Sequence, residues 1–184
     1  MTITVEDVPE SPKVVASTRT LWGVEDEGVA VLGVSFSDPD DLTQLSYVRL
    51  TTLTQGGSVH IQKPNDFTLR VQEPTNQEPF TIVGQVLELN RLFNGSIHFI
   101  PEKNMNVLYN QYGQITIYLE KYDPVLNIAI SDSASLTLRV LFDPHNDPAI
   151  LSVPGTFLEG QEDSPLSFSA GGISLTDSDP SATG

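Results

Sequence analysis

The sequence predicts an all-β protein built as an antiparallel sandwich. Apolar and polar residues alternate over several segments, which is the pattern of strands with one buried face. Clusters of proline, glycine, asparagine and aspartate separate these segments and favour turns. With 39% hydrophobic residues in a chain of 184, there is also enough apolar material to fill a core.

The strands can be assigned in order along the chain. Alternation is clearest, with an aliphatic or phenylalanine residue at every second position, in 32–36, 115–119 and 136–140. Shorter β-rich segments are predicted at 13–17, 45–52, 58–61, 67–71, 80–83 and 96–100. One segment, 86–93, carries Leu89, Leu92 and Phe93 at helical spacing and predicts a short helix.

Charge and cysteine content exclude several functional classes. The chain has 24 acidic and 9 basic residues, a formal charge of −15, and would repel nucleic-acid phosphates and anionic membranes. Without cysteine it cannot form disulfides, thiolate metal sites or a thiol nucleophile, so a metal must be held by oxygen or imidazole. No apolar run approaches the roughly 20 residues that span a bilayer, so direct membrane insertion is not expected.

The sequence gives no sign of catalysis. It lacks the nucleophile elbow, the phosphate-binding glycine loop and the paired-histidine zinc motif, and His60, His98 and His145 stand alone. We therefore expect a protein that is not an enzyme. The sole tryptophan, Trp22, is interpreted as packing under a sheet edge, with a sugar-stacking platform as the alternative.

An internal repeat organises the acidic residues. An acidic linker, a Glu-Asp pair and an Asp-x-Asp motif occur in the same order near both ends, at nearly constant offset. The matching residues are Pro12 with Pro148, Asp26 with Asp163, and Asp38 with Asp177. The sequence therefore predicts a linker at 1–12, one complete repeat at 13–147 and the opening strands of a second at 148–184, near 149–151, 165–168 and 172–175.

These acidic motifs fall at predicted strand ends and suit calcium. Ca²⁺ takes six to eight oxygen ligands, and residues i and i+2 of an extended segment point the same way and can share one ion. The alternative interpretation is that Asp-Pro and Asn-Asp-Pro sequences only mark turns. The ordered duplication of the motifs favours calcium.

The same motifs carry a resemblance over essentially the whole chain. They are Glu25-Asp26, Ser37-Asp38-Pro39-Asp40, the segment 94–101 with Asn104 and Asn106, the strand 115–123, and 136–142 leading into His145-Asn146-Asp147-Pro148. Their order resembles the cadherin superfamily, and more closely the cadherin-like tandem repeats of very large secreted adhesins. The resemblance implies a Greek-key sandwich of the cadherin or immunoglobulin kind, with calcium at the junctions between repeats.

The resemblance also implies the ligands. The junction leading into the second repeat would be formed by Glu25, Asp143, Asn146, Asp147, Asp177 and Asp179. Asp38, Asp40 and Asp123 would face the preceding junction, with Asp7 and Glu10 from its linker. The acidic motif that many cadherins place between their third and fourth strands is not recognisable here.

Together these features predict a non-enzymatic, extracellular or cell-surface structural module. Calcium at the junctions would stiffen a long repetitive protein, whose partners are neighbouring repeats, other copies of the protein or surface glycans. One alternative is a calcium-independent subunit of a filament, completed by strand addition between chains. A further alternative is a carbohydrate-binding module centred on Trp22.

Overall fold

The computed structural model describes residues 3, 10–62, 68–72, 79–152 and 174–176. These residues form an all-β structure with one short α-helix, which confirms the predicted fold class. The Greek-key topology stays a prediction. The chain divides into two compact units, Met1–Pro144 and His145–Gly184. No helix in the described ranges is long and apolar enough to cross a lipid bilayer.

The first unit contains twelve strands, a helix and a 3₁₀ turn in its described part. The first six strands are β1 (Lys13–Ala16), β2 (Thr20–Val24), β3 (Val29–Ala30), β4 (Val34–Ser37), β5 (Tyr47–Gln55) and β6 (Gly57–Ile61). The next elements are β7 (Arg70–Gln72), β8 (Phe80–Gln85), α1 (Val86–Leu92), β9 (Ile97–Pro101) and the 3₁₀ turn Val107–Tyr109. The last strands are β10 (Gly113–Asp123), β11 (Ile128–Ala129) and β12 (Ala134–Asp143).

One sheet of seven strands dominates this unit. Its strand order is β2-β12-β10-β5-β8-β7, with β11 paired to the end of β10. A second layer is formed by β3-β9-β6 and by the pair β1-β4. All described strand pairs are antiparallel except β2 with β12, which run parallel. The sheet is therefore mixed rather than purely antiparallel, because the chain crosses from β1 in one layer to β2 at the edge of the other.

The core lies between the large sheet and the second layer. Alternation in β10 and β12 buries Ile115, Ile117 and Leu119 beside Leu136, Leu138 and Val140, as the sequence predicts. The prediction for 32–36 is wrong at its first residue, since Leu32 is 47% exposed. Gly33 has a φ of +74°, a left-handed conformation that interrupts the strand, and Val31 is buried instead.

The predicted helix at 86–93 is confirmed as α1 with Phe93 at its end. Val86, Leu89 and Leu92 are buried, and the ring of Phe93 meets that of Phe36 edge-on at 4.9 Å. The side-chain amide of Asn90 also joins the helix to β4 by two hydrogen bonds. Its Oδ1 accepts from the Phe36 amide at 2.8 Å, and its Nδ2 donates to the Phe36 carbonyl at 2.9 Å.

The second unit is described only at 145–152 and 174–176. Strands β13 (Ile150–Ser152) and β14 (Ser174–Thr176) pair antiparallel, close to two of the strands expected there. The strand expected at 165–168 lies outside the described residues. Ile150 and Leu151 are 62% and 63% exposed.

Candidate functional site

The predicted acidic residues of the first unit fall at opposite ends of the large sheet. Gly113 at the start of β10 pairs with Val140, and Leu119 pairs with Ala134, so β10 runs away from the end of β12. We call one end the Glu25 end; its residues are Glu25, Asp26, Asn104, Asn106 and Asp143. We call the other the Lys121 end; its residues are Asp38, Asp40 and Lys121.

At the Glu25 end, two acidic segments that are distant in sequence lie side by side. The parallel pairing of β2 with β12 places Val24 opposite Asp143, and the Glu25 amide donates to the Asp143 carbonyl at 3.0 Å. Glu25 is only 3% exposed, and its Oε2 accepts a hydrogen bond of 2.6 Å from Nδ2 of Asn106. Asp143 is exposed. This end therefore combines a buried carboxylate with an open one.

Two asparagines complete the Glu25 end. The loop after β9 brings Asn104 to Asp26. The main-chain N–H of Asn104 donates to Oδ1 of Asp26 at 2.8 Å. Asn104 has a φ of 59° and Asp26 one of 60°, so both sit in the left-handed region that asparagine and aspartate tolerate best after glycine. Oδ1 of Asn104 is buried without a hydrogen-bond partner within the described structure. A buried amide oxygen without a donor is suited to a cation.

At the Lys121 end, a lysine ammonium lies between the two carboxylates of the Asp-x-Asp motif. Nζ of Lys121 is 2.9 Å from Oδ1 of Asp38, and it forms a second ion pair with Oδ2 of Asp40. Lys121 and Asp38 are 7% and 4% exposed. Asp40 also accepts a bond of 2.8 Å from the Glu10 amide. The cation held by this motif in the structure is therefore the chain's own lysine.

The charges at the Lys121 end stabilise each other. Hydrogen bonding to Lys121, then to the Glu10 amide, lowers the pKa of Asp40. Burial opposes the charge of Lys121, but its hydrogen bonds with Asp40 and Asp38 outweigh burial and raise its pKa. The lysine is thus held in its charged form. A calcium ion at Asp38 and Asp40 would have to displace it.

The loop that follows this motif is a turn built around Asp41. Its carboxylate accepts from the Thr43 hydroxyl, from the Thr43 amide at 2.9 Å and from the Ser46 amide at 2.5 Å. These bonds, led by the Thr43 hydroxyl, lower the pKa of Asp41 from 3.8 to about 2. The Asp41 carboxylate thus stabilises a turn, which is the alternative interpretation of aspartates in this sequence.

This shift predicts part of the acid sensitivity of the fold. Because the pKa of Asp41 is lower in the folded state, its contribution is complete above about pH 4 and is lost as the pH falls towards 2. We expect Asp41→Asn to lower stability at pH 7 and to flatten the decline between pH 4 and 2, measured by urea unfolding. Asp132→Asn, at an exposed position, is the control; an equal slope in both variants would contradict the assignment.

The other predicted ligands are placed separately. Oδ1 of Asp123 accepts from the amides of Val125 and Leu126 at 2.8 and 3.0 Å, so this carboxylate closes the turn after β10. In the second unit, Nδ2 of Asn146 donates to the Asp147 carbonyl at 3.1 Å. The predicted ligands Asp177 and Asp179 lie outside the described residues, as does Asp7 of the linker.

Three site residues were not assigned from the sequence. The inward direction of Lys121 is predictable from the sequence. Ile117 and Leu119 alternate with polar residues and point inward, so residue 121 of the same strand points inward too. Asn104 and Asn106 carried the resemblance, but no local pattern indicated that the loop after β9 brings them to Glu25 and Asp26.

The interpretation of Trp22 as a packed residue is wrong. Its side chain is 57% exposed, because β2 is the edge strand of the large sheet and Trp22 alternates with the buried Leu21. Nearby on the same sheet, the guanidinium of Arg139 lies 4.2 Å from the ring centroid of Tyr112.

Over the described ranges, no group of three or more histidine, aspartate and glutamate side chains is arranged to hold a metal ion. An ion at the Glu25 end would therefore also use amide and main-chain oxygens. No protein-family model matches the chain, and no curated protein matches it in sequence.

Proposed function

We propose that the protein is a non-enzymatic, extracellular structural module that binds calcium at the Glu25 end. Two observations carry the proposal: the main-chain hydrogen bond that joins Glu25 to Asp143, and the Oδ1 of Asn104, which is buried without a hydrogen-bond partner in the described structure, in the loop that contacts Asp26. These contacts bring three separate parts of the chain to the same end of the large sheet: Glu25 with Asp26, Asn104, and Asp143. This is the mixture of carboxylate, amide and carbonyl oxygens that Ca²⁺ prefers.

The proposed ligands are the carboxylates of Glu25, Asp26 and Asp143, Oδ1 of Asn104 and nearby carbonyl groups. This set needs none of Asn146, Asp147, Asp177 and Asp179, which the sequence predicts as further ligands. The Lys121 end would need no metal, because Lys121 already forms an ion pair with each of its two carboxylates.

The proposed role of the ion is mechanical. Asp143 is the last residue of β12, just before the first unit ends at Pro144, so a bound ion would restrain the chain where it leaves the sandwich. Calcium would also offset part of the formal charge of −15. Extracellular modules bind Ca²⁺ with dissociation constants of about 10⁻⁴–10⁻³ M, so the site would fill at millimolar calcium and empty in the cytosol.

Calorimetric titration with calcium tests the proposal. We expect saturable binding in the submillimolar to millimolar range, and a loss of at least about tenfold in affinity in Glu25→Gln and Asp143→Asn, because each removes a charged ligand. Asp132→Asn removes the same charge from an exposed position elsewhere and should bind like the wild type. No binding by the wild type, or equal weakening by Asp132→Asn, would overturn the proposal.

A second candidate function is calcium-independent assembly. It is favoured by the exposure of Ile150 and Leu151 in β13, which has β14 as its partner in a two-stranded pair. Among the described residues this pair has no third strand, and a two-stranded pair is marginal alone and can accept a strand from another chain. Sedimentation at increasing concentration in chelator would show association that Leu151→Lys abolishes; a strictly monomeric wild type would exclude this candidate.

A further inference from the structure

The outer face of the large sheet carries a depression with a volume of about 410 Å³. It lies over β5, β7, β8 and β10, and its lining includes Glu120 and Tyr122, the two neighbours of Lys121 in β10. Among its lining residues are Arg49, Arg70, Thr81, Tyr122 and Asn127. The chain has only 9 basic residues against 24 acidic ones. Two arginines in one depression are therefore a local concentration of positive charge on a strongly negative protein.

The register of the strands places these arginines on the same face. Arg70 of β7 and Arg49 of β5 are both partners of Val83 in β8, and Arg49 is in turn the partner of Glu120 in β10. Directly paired residues point to the same side of a sheet. The two guanidinium groups therefore flank Val83 across the floor of the depression.

Arg49 is held in position by its neighbours. Its Nε lies 2.5 Å from Oε1 of Glu120, and its guanidinium is 5.2 Å from the centroid of the Tyr122 ring. The Tyr122 hydroxyl donates to Oδ1 of Asn127, which leaves the Asn127 amide nitrogen as a donor. Glu120 thus fixes and neutralises one arginine.

Arg70 supplies the unbalanced charge. Across the described residues it takes part in no ion pair, and it is exposed. With Arg49 balanced by Glu120, the described lining residues carry one net positive charge. A guanidinium presents a planar fork of donors that matches a carboxylate.

We propose that this depression binds an acidic saccharide, with the carboxylate of a uronic acid on Arg70. The volume lies near the lower end of the range for small-molecule sites, which suits one or two sugar rings. Thr51, Thr81 and Asn127 bring hydroxyl and amide groups that pair with sugar hydroxyls, and Tyr122 offers a ring. An acidic peptide fits less well, because among the described lining residues Val83 is the one aliphatic side chain on the face of the two arginines.

The test is binding of trigalacturonic acid, measured by NMR titration of the full chain in excess EDTA. The chelator makes the result independent of calcium, so the saccharide site and the proposed calcium site can fail separately. The neutral methyl ester of the same trisaccharide and a tetraglutamate peptide are the comparison ligands.

We expect the acid to shift resonances around Thr81 and Tyr122, and the ester to bind at least tenfold more weakly. Arg70→Gln should lose at least tenfold in affinity, whereas Arg19→Gln, which removes an exposed arginine elsewhere, should bind like the wild type. Arg70 is exposed, and an unchanged thermal midpoint confirms that the variant is folded. No binding of the acid, equal binding of acid and ester, tighter binding of tetraglutamate, or full affinity in Arg70→Gln would each overturn the proposal.

Discussion

Replacing Phe99 with alanine is expected to lower the free energy of unfolding by about 4 kcal/mol, because a large side chain is removed from the centre of the core. Phe99 belongs to β9 in the second layer and is fully buried. Its ring stacks on that of Phe142 from the large sheet, with centroids 6.0 Å apart. Removing the ring leaves a cavity between the two layers.

Urea unfolding of the wild type and Phe99→Ala gives the difference directly. Leu126→Ala, in an exposed turn, is the control and should lie within about 0.5 kcal/mol of the wild type. A cost below about 1.5 kcal/mol for Phe99→Ala would show that the layers do not pack around this ring.

The space around Phe99 can be tested further at Gly113. A Cβ atom at this position would lie 2.5 Å from Cζ of Phe99, too close for a real contact. Gly113→Ala should therefore destabilise the wild type but cost much less in the Phe99→Ala background. Additive costs in this double-mutant cycle would contradict the packing.

Replacing Lys121 with methionine is expected to lower the free energy of unfolding by about 3 kcal/mol, at the lower end for removing one partner of a buried ion pair. Methionine keeps an unbranched apolar side chain at this position but leaves the carboxylates of Asp38 and Asp40 without their cation. Asp38 has little access to water, whereas Asp40 is more open, which moderates the effect.

Urea unfolding at pH 7 measures this cost, and a second variant separates charge from packing. Adding Asp38→Leu to Lys121→Met removes the buried unpaired carboxylate and should recover much of the lost stability. If Lys121→Met alone unfolds within about 0.5 kcal/mol of the wild type, Lys121 is not the cation that stabilises this end.

The Lys121→Met variant also tests whether Lys121 occupies the position that a metal ion could take between Asp38 and Asp40. With Lys121 gone, the Asp-x-Asp motif is free to accept another cation, and added calcium should restore part of the stability lost in Lys121→Met. No such rescue is expected from sodium at the same ionic strength, because Na⁺ carries half the charge.

Period-two alternation was enough to predict the all-β fold. It located β10 and β12, because both strands bury every second residue over most of their length. It failed at Leu32, where a left-handed glycine shifts the inward positions, and such a conformation leaves no periodic signal. The parallel pairing of β2 with β12 was not predicted either, since it depends on which layer each strand joins.

The candidate site was predictable in its acidic residues but not in their partners. The internal repeat and the resemblance it carries indicate Glu25 and Asp143, which are joined by a main-chain hydrogen bond, and Asp38 and Asp40, which share Lys121 at the other end. Whether such carboxylates face a lysine or amide oxygens is decided by long-range contacts. Alternation can give the direction of Lys121, but not the residue that it meets.

The most direct test of calcium binding is the thermal midpoint of the intact chain in millimolar calcium and in EDTA. Calcium at ten times its dissociation constant contributes about 1.4 kcal/mol, which corresponds to about 3–6 °C for a chain of this size. We predict that shift in the wild type and in Asp132→Asn, and a shift of at most about 1–2 °C in Glu25→Gln, whose site would be half filled or less at the same calcium concentration. Equal midpoints of the wild type in calcium and in EDTA would contradict a calcium site at the Glu25 end.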